Sequence, residues 1–348
     1  EEESLKLAEP VFNAEGGIHG HPIHFTFRDD QSTPQVAVQA ANDAIADHPA
    51  VILGSSLVAA CNAMTPLMKN GPVMYCFSPG IHPPKGSFVF TSSVSTGDYA
   101  DALIRFFRLK GRTRMALLTS TDATGQDAEH GFDKLLALPA NKDIKVVERA
   151  HFNTNDVSVS AQIERVKAAN PQFFIGWSTG SPIATIFRGI VQAGLDVPFG
   201  TTGGNMTYAE MHQFAAFLPK VLYLPSSEWP ADGDPRLKLN PGVVAKQKAF
   251  FAAFAKVGKK PDEGAVLAWD PASIIVDALR ALPDGATAAQ LNAYLQKLKG
   301  QPGIDGVYDY LKVPQRGLSV ANTIITRWNA KSDRWEVVAG PTGIPLAH

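Results

Sequence analysis

The chain has 348 residues, and its 32 lysines and arginines nearly balance its 33 aspartates and glutamates, which gives a formal net charge of −1. This balance gives no electrostatic reason to expect nucleic acid or an anionic membrane as the main partner. With 45% hydrophobic and 19% charged residues, the composition is that of a globular protein and argues against wholesale disorder. The length allows about two domains, and no apolar run reaches the roughly 18 residues of a membrane span.

Strand-like apolar runs alternate with segments of helical spacing along most of the chain. In chain order we expect strand 23–27, helix 33–47, strand 51–53, helix 57–69, strand 73–77, strand 88–90, helix 96–110, strand 115–119, helix 126–138, strand 145–150, helix 157–169, strand 173–175, helix 183–193, strands 197–200 and 221–223, helices 243–257 and 265–282, and strands 306–310, 323–328 and 335–338. Strands separated by helices of about 10–15 residues predict βαβ units and parallel sheets. The strands are too many for one sheet, so we expect a break near 95–111.

The segment 51–79 carries the clearest sign of a ligand site. A buried strand at 51–53 runs into the small polar loop at Ser55, and a second strand at 73–77 runs into Ser78. Open α/β sheets bind ligands at the carboxyl ends of their parallel strands. The segment therefore predicts a small-molecule crevice, without indicating whether chemistry happens there.

Several polar motifs have a structural explanation. Asp29 and Asp30 stand between a strand and a helix, where aspartate usually caps or forms a turn. His19, His21 and His24 have no cysteine or carboxylate spaced to complete a metal site, so we expect no metal. No nucleophile motif occurs, and we expect neither an enzyme nor a cofactor.

The glycine-rich stretch 200–205 has no lysine, so it is not a phosphate-binding loop. We expect it only to line one side of a ligand site. Trp177, Trp229 and Trp269 are core residues by default. Trp269 is the strongest exception, because the nearby Pro271 loosens its helix and can place the ring at a cleft.

The cysteines leave two alternatives open. Cys61 and Cys76 lie near the ends of adjacent elements, which permits a disulfide, while two buried free thiols fit equally well. The cellular compartment is therefore not given by the cysteines. The chain opens on Glu1-Glu2-Glu3 and shows no secretory signal. The mature form of an exported protein would look the same.

Taken together, segments along nearly the whole chain resemble the type I periplasmic solute-binding proteins of the branched-chain amino acid (Leu/Ile/Val-binding) class, which serve ABC importers. The matching segments are 5–20 (LKLAEPVFNAEGGIHG), 27–31, Gly54 with Pro66, Ser78-Pro79, Gly125-Gln126, 152–162, 187–195, Trp269-Asp270, 303–306 and Arg316-Gly317. The resemblance implies two doubly wound parallel-sheet α/β lobes, joined by a three-crossing hinge, that close on a ligand. It implies an N-terminal lobe of 1–97 plus 250–320, without the family's first strand, and a C-terminal lobe of 98–249 plus 321–348.

Departures from the family pattern indicate the ligand. Amino-acid binders of the class hold the ammonium group with an acidic residue where this chain has Thr202, and a buried ammonium without a carboxylate is costly. Thr124 replaces a frequent aromatic residue, and His82 replaces a hydroxyl of the second loop. The first loop is apolar at three positions where the class has hydroxyls: Leu57, Val58 and Ala59.

We therefore expect an organic acid with an aromatic or hydrophobic body, such as a benzoate-like or phenylpropenoid acid. The expected ligand-binding residues are Ser55, Ser56, Leu57, Val58, Ala59, Ser78, Gly80, Ile81, His82, Thr124, Trp177, Thr179, Thr202, Asn205 and Trp269. The resemblance implies a periplasmic monomer, with its signal peptide absent from this chain, and a membrane permease as partner. The alternatives are a branched-chain or other hydrophobic amino-acid binder, a sensory ligand-binding domain of the same fold, and a small-molecule hydrolase.

Overall fold

The computed structural model describes residues 1–347, which form eleven α-helices and thirteen β-strands. The helices are α1 (Glu2–Ala14), α2 (Pro34–Ala46), α3 (Val58–Met64), α4 (Thr96–Leu109), α5 (Ala123–Leu136), α6 (Ser160–Ala168), α7 (Ser181–Gln192), α8 (Tyr208–Gln213), α9 (Pro241–Ala255), α10 (Glu263–Ala281) and α11 (Ala288–Leu295). The strands are β1 (Val51–Leu53), β2 (Val73–Cys76), β3 (Val89–Thr91), β4 (Arg114–Ser120), β5 (Lys145–Phe152), β6 (Phe173–Trp177), β7 (Phe199–Gly200), β8 (Leu222–Ser226), β9 (Lys299–Pro302), β10 (Val307–Asp309), β11 (Ile324–Asn329), β12 (Arg334–Gly340) and β13 (Ile344–Pro345).

The chain divides into two compact units. Unit 1 consists of Glu1–Val94 and Lys238–Ser319, and unit 2 consists of Ser95–Leu237 and the chain from Val320 onward. The backbone therefore passes from one unit to the other three times.

Unit 1 is built on a three-stranded parallel sheet in the order β1-β2-β3. The register pairs Leu53 with Tyr75 and Tyr75 with Phe90, so the carboxyl ends of the strands lie at one edge. Helix α10 is buried along most of its length despite the internal Pro271. A separate antiparallel pair, β9 with β10, completes the unit.

The strand expected at 23–27 does not form, so that prediction is wrong. The backbone N–H and C=O of Ile23 bond to the side-chain amide of Asn13, at 2.6 and 2.9 Å, and the N–H of Phe25 bonds to the Glu9 carboxylate at 2.8 Å. Side chains of α1 thus satisfy backbone groups that a neighbouring strand would otherwise take.

Unit 2 is built on one eight-stranded sheet in the order β13-β12-β11-β8-β7-β6-β4-β5. Strands β8, β7, β6, β4 and β5 are mutually parallel, and β11, β12 and β13 add antiparallel pairings. All five residues of β6 and six of the seven in β4 are buried, as expected for strands covered on both faces. Helix α4 opens with a capping box formed by Ser95 and Asp98, which fixes the chain where unit 2 begins.

Cys61 and Cys76 form a disulfide that joins α3 to the end of β2, with 6.1 Å between their Cα atoms. Of the two alternatives that the sequence leaves open, the structure therefore has the bonded pair. The bond lies beside the loops that follow β1 and β2, so it restrains the base of both.

Candidate functional site

In unit 1 the loops after β1 and β2 lie side by side. Because the two strands are adjacent and parallel, their carboxyl ends meet at one edge of the sheet. The N–H of Gly54 donates to the carbonyl of Tyr75, and the N–H of Phe77 donates to the carbonyl of Ser55, both at 2.9 Å. The start of the first loop is thus bonded to the residues from which the second loop leaves, and the two loops together form one polar rim.

The second loop, 78–82, is held from behind by side chains outside it. The Thr91 hydroxyl donates to the carbonyl of Ser78 at 2.6 Å. The buried guanidinium of Arg316 donates to the carbonyls of Pro79 at 3.0 Å and Ile81 at 2.7 Å. Arg316 stood out in the sequence only as part of a family motif, and this contact was not foreseen because 237 and 235 residues separate Arg316 from Pro79 and Ile81.

The structure gathers the predicted residues of unit 1 at this rim, with different exposure. Ser78, Gly80 and Ile81 are buried, His82 is exposed, and the first loop is half-buried at Ser55, Ser56 and Leu57. In α3, Val58 is buried and Ala59 is exposed.

Trp269 is the exception, because its ring packs in the helical core of unit 1. It lies 6.1 Å from Phe12, 5.1 Å from Phe250 and 6.3 Å from Phe254, measured between ring centroids. Its side chain is 4% exposed. The ring therefore lies in the core of unit 1 despite the nearby Pro271.

In unit 2 the loops after β4, β6 and β7 are also joined at the carboxyl ends of parallel strands. Asn205 is fully buried and donates to the carbonyl of Ser178 at 2.9 Å and to the hydroxyl of Thr201 at 3.0 Å, while its side-chain oxygen accepts from the N–H of Gly180 at 3.3 Å. Asn205 therefore positions two loops at once. The hydroxyl of Ser120, at the end of β4, donates to Asp122, which caps α5.

The other predicted residues of unit 2 have distinct roles. Thr202 is 5% exposed and its hydroxyl accepts from the N–H of Gly204 at 3.3 Å, so it caps a short turn. Thr124 is half-buried in the first turn of α5, and Thr179 is half-buried after β6. Trp177 is 1% exposed and packs edge-on against Phe132, which places it in the core.

Glu228 is a carboxylic acid that sequence reasoning missed at this edge. It lies two residues after the end of β8, the strand that pairs with β7, and it is buried. The side-chain amide of Asn322 donates to Glu228 Oε1 at 3.1 Å. Burial raises the pKa of the Glu228 carboxyl to about 7 although the Asn322 hydrogen bond opposes the rise. At neutral pH this group therefore exists in both protonation states.

Within residues 1–347, no three histidine, cysteine, aspartate or glutamate side chains converge in a way that could hold a metal ion. Over the same residues, no helix combines the length and the apolar character needed to cross a membrane.

Comparison with known proteins identifies the fold and the family. Residues 2–333 match the family model described as periplasmic binding protein. A type 1 periplasmic binding protein from Bordetella pertussis superposes with a TM-score of 0.80 at 19% identity, covering 97% of this chain and 93% of that one. The Streptococcus pneumoniae LivJ branched-chain amino acid transporter substrate-binding protein, in complex with isoleucine, gives 0.78 at 16% identity, with 97% and 93% covered.

A solute-binding protein of an ABC transporter from Rhodopseudomonas palustris, in complex with benzoate, gives a TM-score of 0.76 at 17% identity and covers 99% of this chain and 92% of that one. A comparison with curated protein sequences found no significant match. The predicted fold class is confirmed, and the chain belongs to the periplasmic binding protein family with the type I fold.

Proposed function

We propose that this chain is an extracytoplasmic solute-binding protein that delivers a small organic acid to the permease of an ABC importer. The observation that carries the proposal is the bonding of loops across the carboxyl ends of parallel strands. The Ser55–Phe77 bond in unit 1 and the Asn205 bonds in unit 2 fix polar backbone and hydroxyl groups in place. Such groups bind a small ligand with little loss of conformational entropy.

An acid with an apolar body fits the chemistry of these edges. Thr202, at the position where amino-acid binders of the class have an acid, uses its hydroxyl as a cap. Leu57 is half-buried and apolar, and His82 is exposed at the end of the second loop, where it can donate to a carboxylate. The benzoate complex of the Rhodopseudomonas palustris neighbour supports an aromatic acid.

Glu228 favours a second candidate, a hydrophobic amino acid. A buried carboxylate in the segment after β8 could pair with an ammonium group in place of the acid missing at Thr202. The isoleucine complex of the Streptococcus pneumoniae neighbour supports this alternative. Because ammonium binding requires the ionised carboxylate, amino-acid affinity would rise with pH through about 7.

The disulfide supports an extracytoplasmic location. Disulfides persist in oxidising compartments such as the periplasm and are rare in the cytosol. The Cys61–Cys76 bond is buried in the core of unit 1, where it joins α3 to β2.

A ligand panel followed by thermal unfolding and calorimetry tests the proposal. Benzoate and cinnamate represent the aromatic acids, and leucine and isoleucine represent the amino acids. We expect an aromatic acid to raise the unfolding temperature, since a ligand that binds only the folded state stabilises it. If leucine or isoleucine raises the unfolding temperature and neither aromatic acid does, the organic-acid proposal is wrong and the ligand is a hydrophobic amino acid.

Two histidine variants provide the matched comparison. His82→Ala removes the imidazole donor at the second loop, and we expect it to weaken carboxylate binding by about three- to tenfold. His24→Ala alters another exposed histidine, whose Nδ1 lies 3.5 Å from Glu9 Oε1 of helix α1, and should bind as the parent does. Equal affinities for both variants would contradict the role of His82.

A further inference from the structure

Arg316 is a buried cation that joins the chain segments following β2 and β3. Its side chain is 5% exposed. One terminal nitrogen donates to the carbonyls of Pro79 at 3.0 Å and Ile81 at 2.7 Å. The other donates to the carbonyls of Ser93 at 3.2 Å and Ser92 at 3.4 Å. The planar fork of arginine can hold several acceptors at once, whereas the single ammonium of lysine cannot hold these four in the same geometry.

These bonds determine which way the amides of the second loop point. In a trans peptide the C=O and the next N–H lie on opposite sides. Because the carbonyls of Pro79 and Ile81 face the guanidinium, the N–H groups of Gly80 and His82 point away from it. The Ser78 hydroxyl accepts from the Gly80 N–H at 3.4 Å, which places that hydroxyl on the side of the loop away from the guanidinium.

The charge of Arg316 adds to the orientation of the amides. A cation behind the loop and amide dipoles aligned with it produce a positive potential on the opposite face. Burial keeps this potential from being screened as it would be at an exposed site. The face that carries the Gly80 and His82 amides therefore favours an anion.

We propose that Arg316 is the positioning residue of the second loop and that, through the peptide groups it holds, it selects a ligand with a carboxylate head over an uncharged isostere. This inference rests on the proposed function, because it assumes that the loop faces the ligand. It deepens that function by naming the residue that sets the preference for an acid.

The test compares a carboxylate with its own primary amide. We would measure Kd by calorimetry for benzoate and benzamide, and for cinnamate and cinnamamide, with the full chain and the Arg316→Met variant. We expect Arg316→Met to weaken carboxylate binding by about tenfold or more while changing amide binding much less, so the ratio of the two Kd values falls. Arg316→Lys keeps the charge but loses the fork, and should give an intermediate ratio.

Gln315→Met is the matched control. Gln315 is equally buried and adjacent in sequence, but its side-chain amide donates to the carbonyls of Ser87 and Val89, before and within β3. We expect this variant to lose stability and to keep the carboxylate-to-amide ratio of the parent.

The outcomes separate the two proposals. If the parent chain binds neither acid, the proposed acid-binding function fails and this inference falls with it. If the parent binds an acid and folded Arg316 variants keep the parent ratio, the function stands and the role of Arg316 is wrong. If neither variant folds, hydrogen exchange of the parent decides, since benzoate or cinnamate should protect the 79–84 segment and absence of protection would overturn the inference.

Discussion

At the scale of single residues, the buried Glu228 predicts an unusual dependence of stability on pH. Its pKa is about 7 in the folded state against about 4.5 for an exposed glutamate, because burial disfavours the charge. Between those pH values the unfolded chain loses the proton and the folded chain keeps it, so stability falls as pH rises from about 4.5 to about 7. Glu228→Gln removes this loss and keeps an acceptor for Asn322. We expect the variant to unfold like the parent at pH 4 and to be about 2–3 kcal/mol more stable at pH 8.

Glu336 provides a control, because its pKa is shifted in the opposite direction. The free energies of unfolding are measured by denaturant titration at pH 4 and pH 8. Hydrogen bonds from Arg327 and Asn329 lower the pKa of the Glu336 carboxyl. Its contribution is therefore fully present at neutral pH and fades as pH falls below about 4.5, so Glu336→Gln should destabilise more at pH 8 than at pH 4. An unchanged or reduced stability of Glu228→Gln at pH 8 would contradict the buried-acid interpretation.

The loop positions could be predicted from the sequence, and the groups that support them could not. Ser55 and Ser78 follow apolar runs, and the strand-to-loop change is visible in the local pattern. Arg316 and Asn205 act on backbone groups 25 to 237 residues away, and no periodicity reports such contacts. The packing of Trp269 against Phe12 and Phe250 was equally invisible in the sequence, because these rings lie on two other helices.

At the scale of elements, alternation predicted the parallel core well because buried strands and amphipathic helices have distinct periods. The strand at 23–27 was overpredicted, since its apolar pattern is real but its backbone groups bond to side chains of α1. Helix α11 and strand β9 were missed. Helix α11 has only eight residues, which is too short for a helical repeat to stand out, and β9 contains Gly300 and Pro302 and no apolar alternation.

The disulfide between α3 and β2 gives the prediction at this scale. Cys61 and Cys76 are 15 residues apart in sequence, and closing a loop of this length stabilises a protein by about 3 kcal/mol. We expect Cys61→Ala with Cys76→Ala to lower the free energy of unfolding of unit 1 by about 2–4 kcal/mol in denaturant titrations. In a reducing agent, the parent should have the same free energy of unfolding as the double variant. If the reducing agent leaves the stability of the parent unchanged, the disulfide is not formed.

At the scale of the whole molecule, the two units differ in the strength of their sheets. Unit 1 has three parallel strands, and its edge strand β1 has three half-buried residues. Unit 2 has eight strands, with β4 paired on both sides and largely buried. Local opening is easiest where few buried contacts hold the backbone. We expect hydrogen exchange to be fastest in β1, slower in β2 and slowest in β4, as followed by mass spectrometry of peptides. Equal protection of β1 and β4 would contradict this order.

The mid-helix carboxylate of Asp270 has a consequence for how this sequence can change over evolution. It accepts hydrogen bonds from the N–H groups of Ile304 at 2.8 Å and Asp305 at 3.0 Å and from the Tyr308 hydroxyl at 3.0 Å, which fastens the 303–308 turn to α10. A side chain at Gly303 would overlap that carboxylate. Gly303 and Asp270, 33 positions apart, are therefore expected to be conserved together. A substitution at either position alone would break the hydrogen bonds that attach the turn to α10.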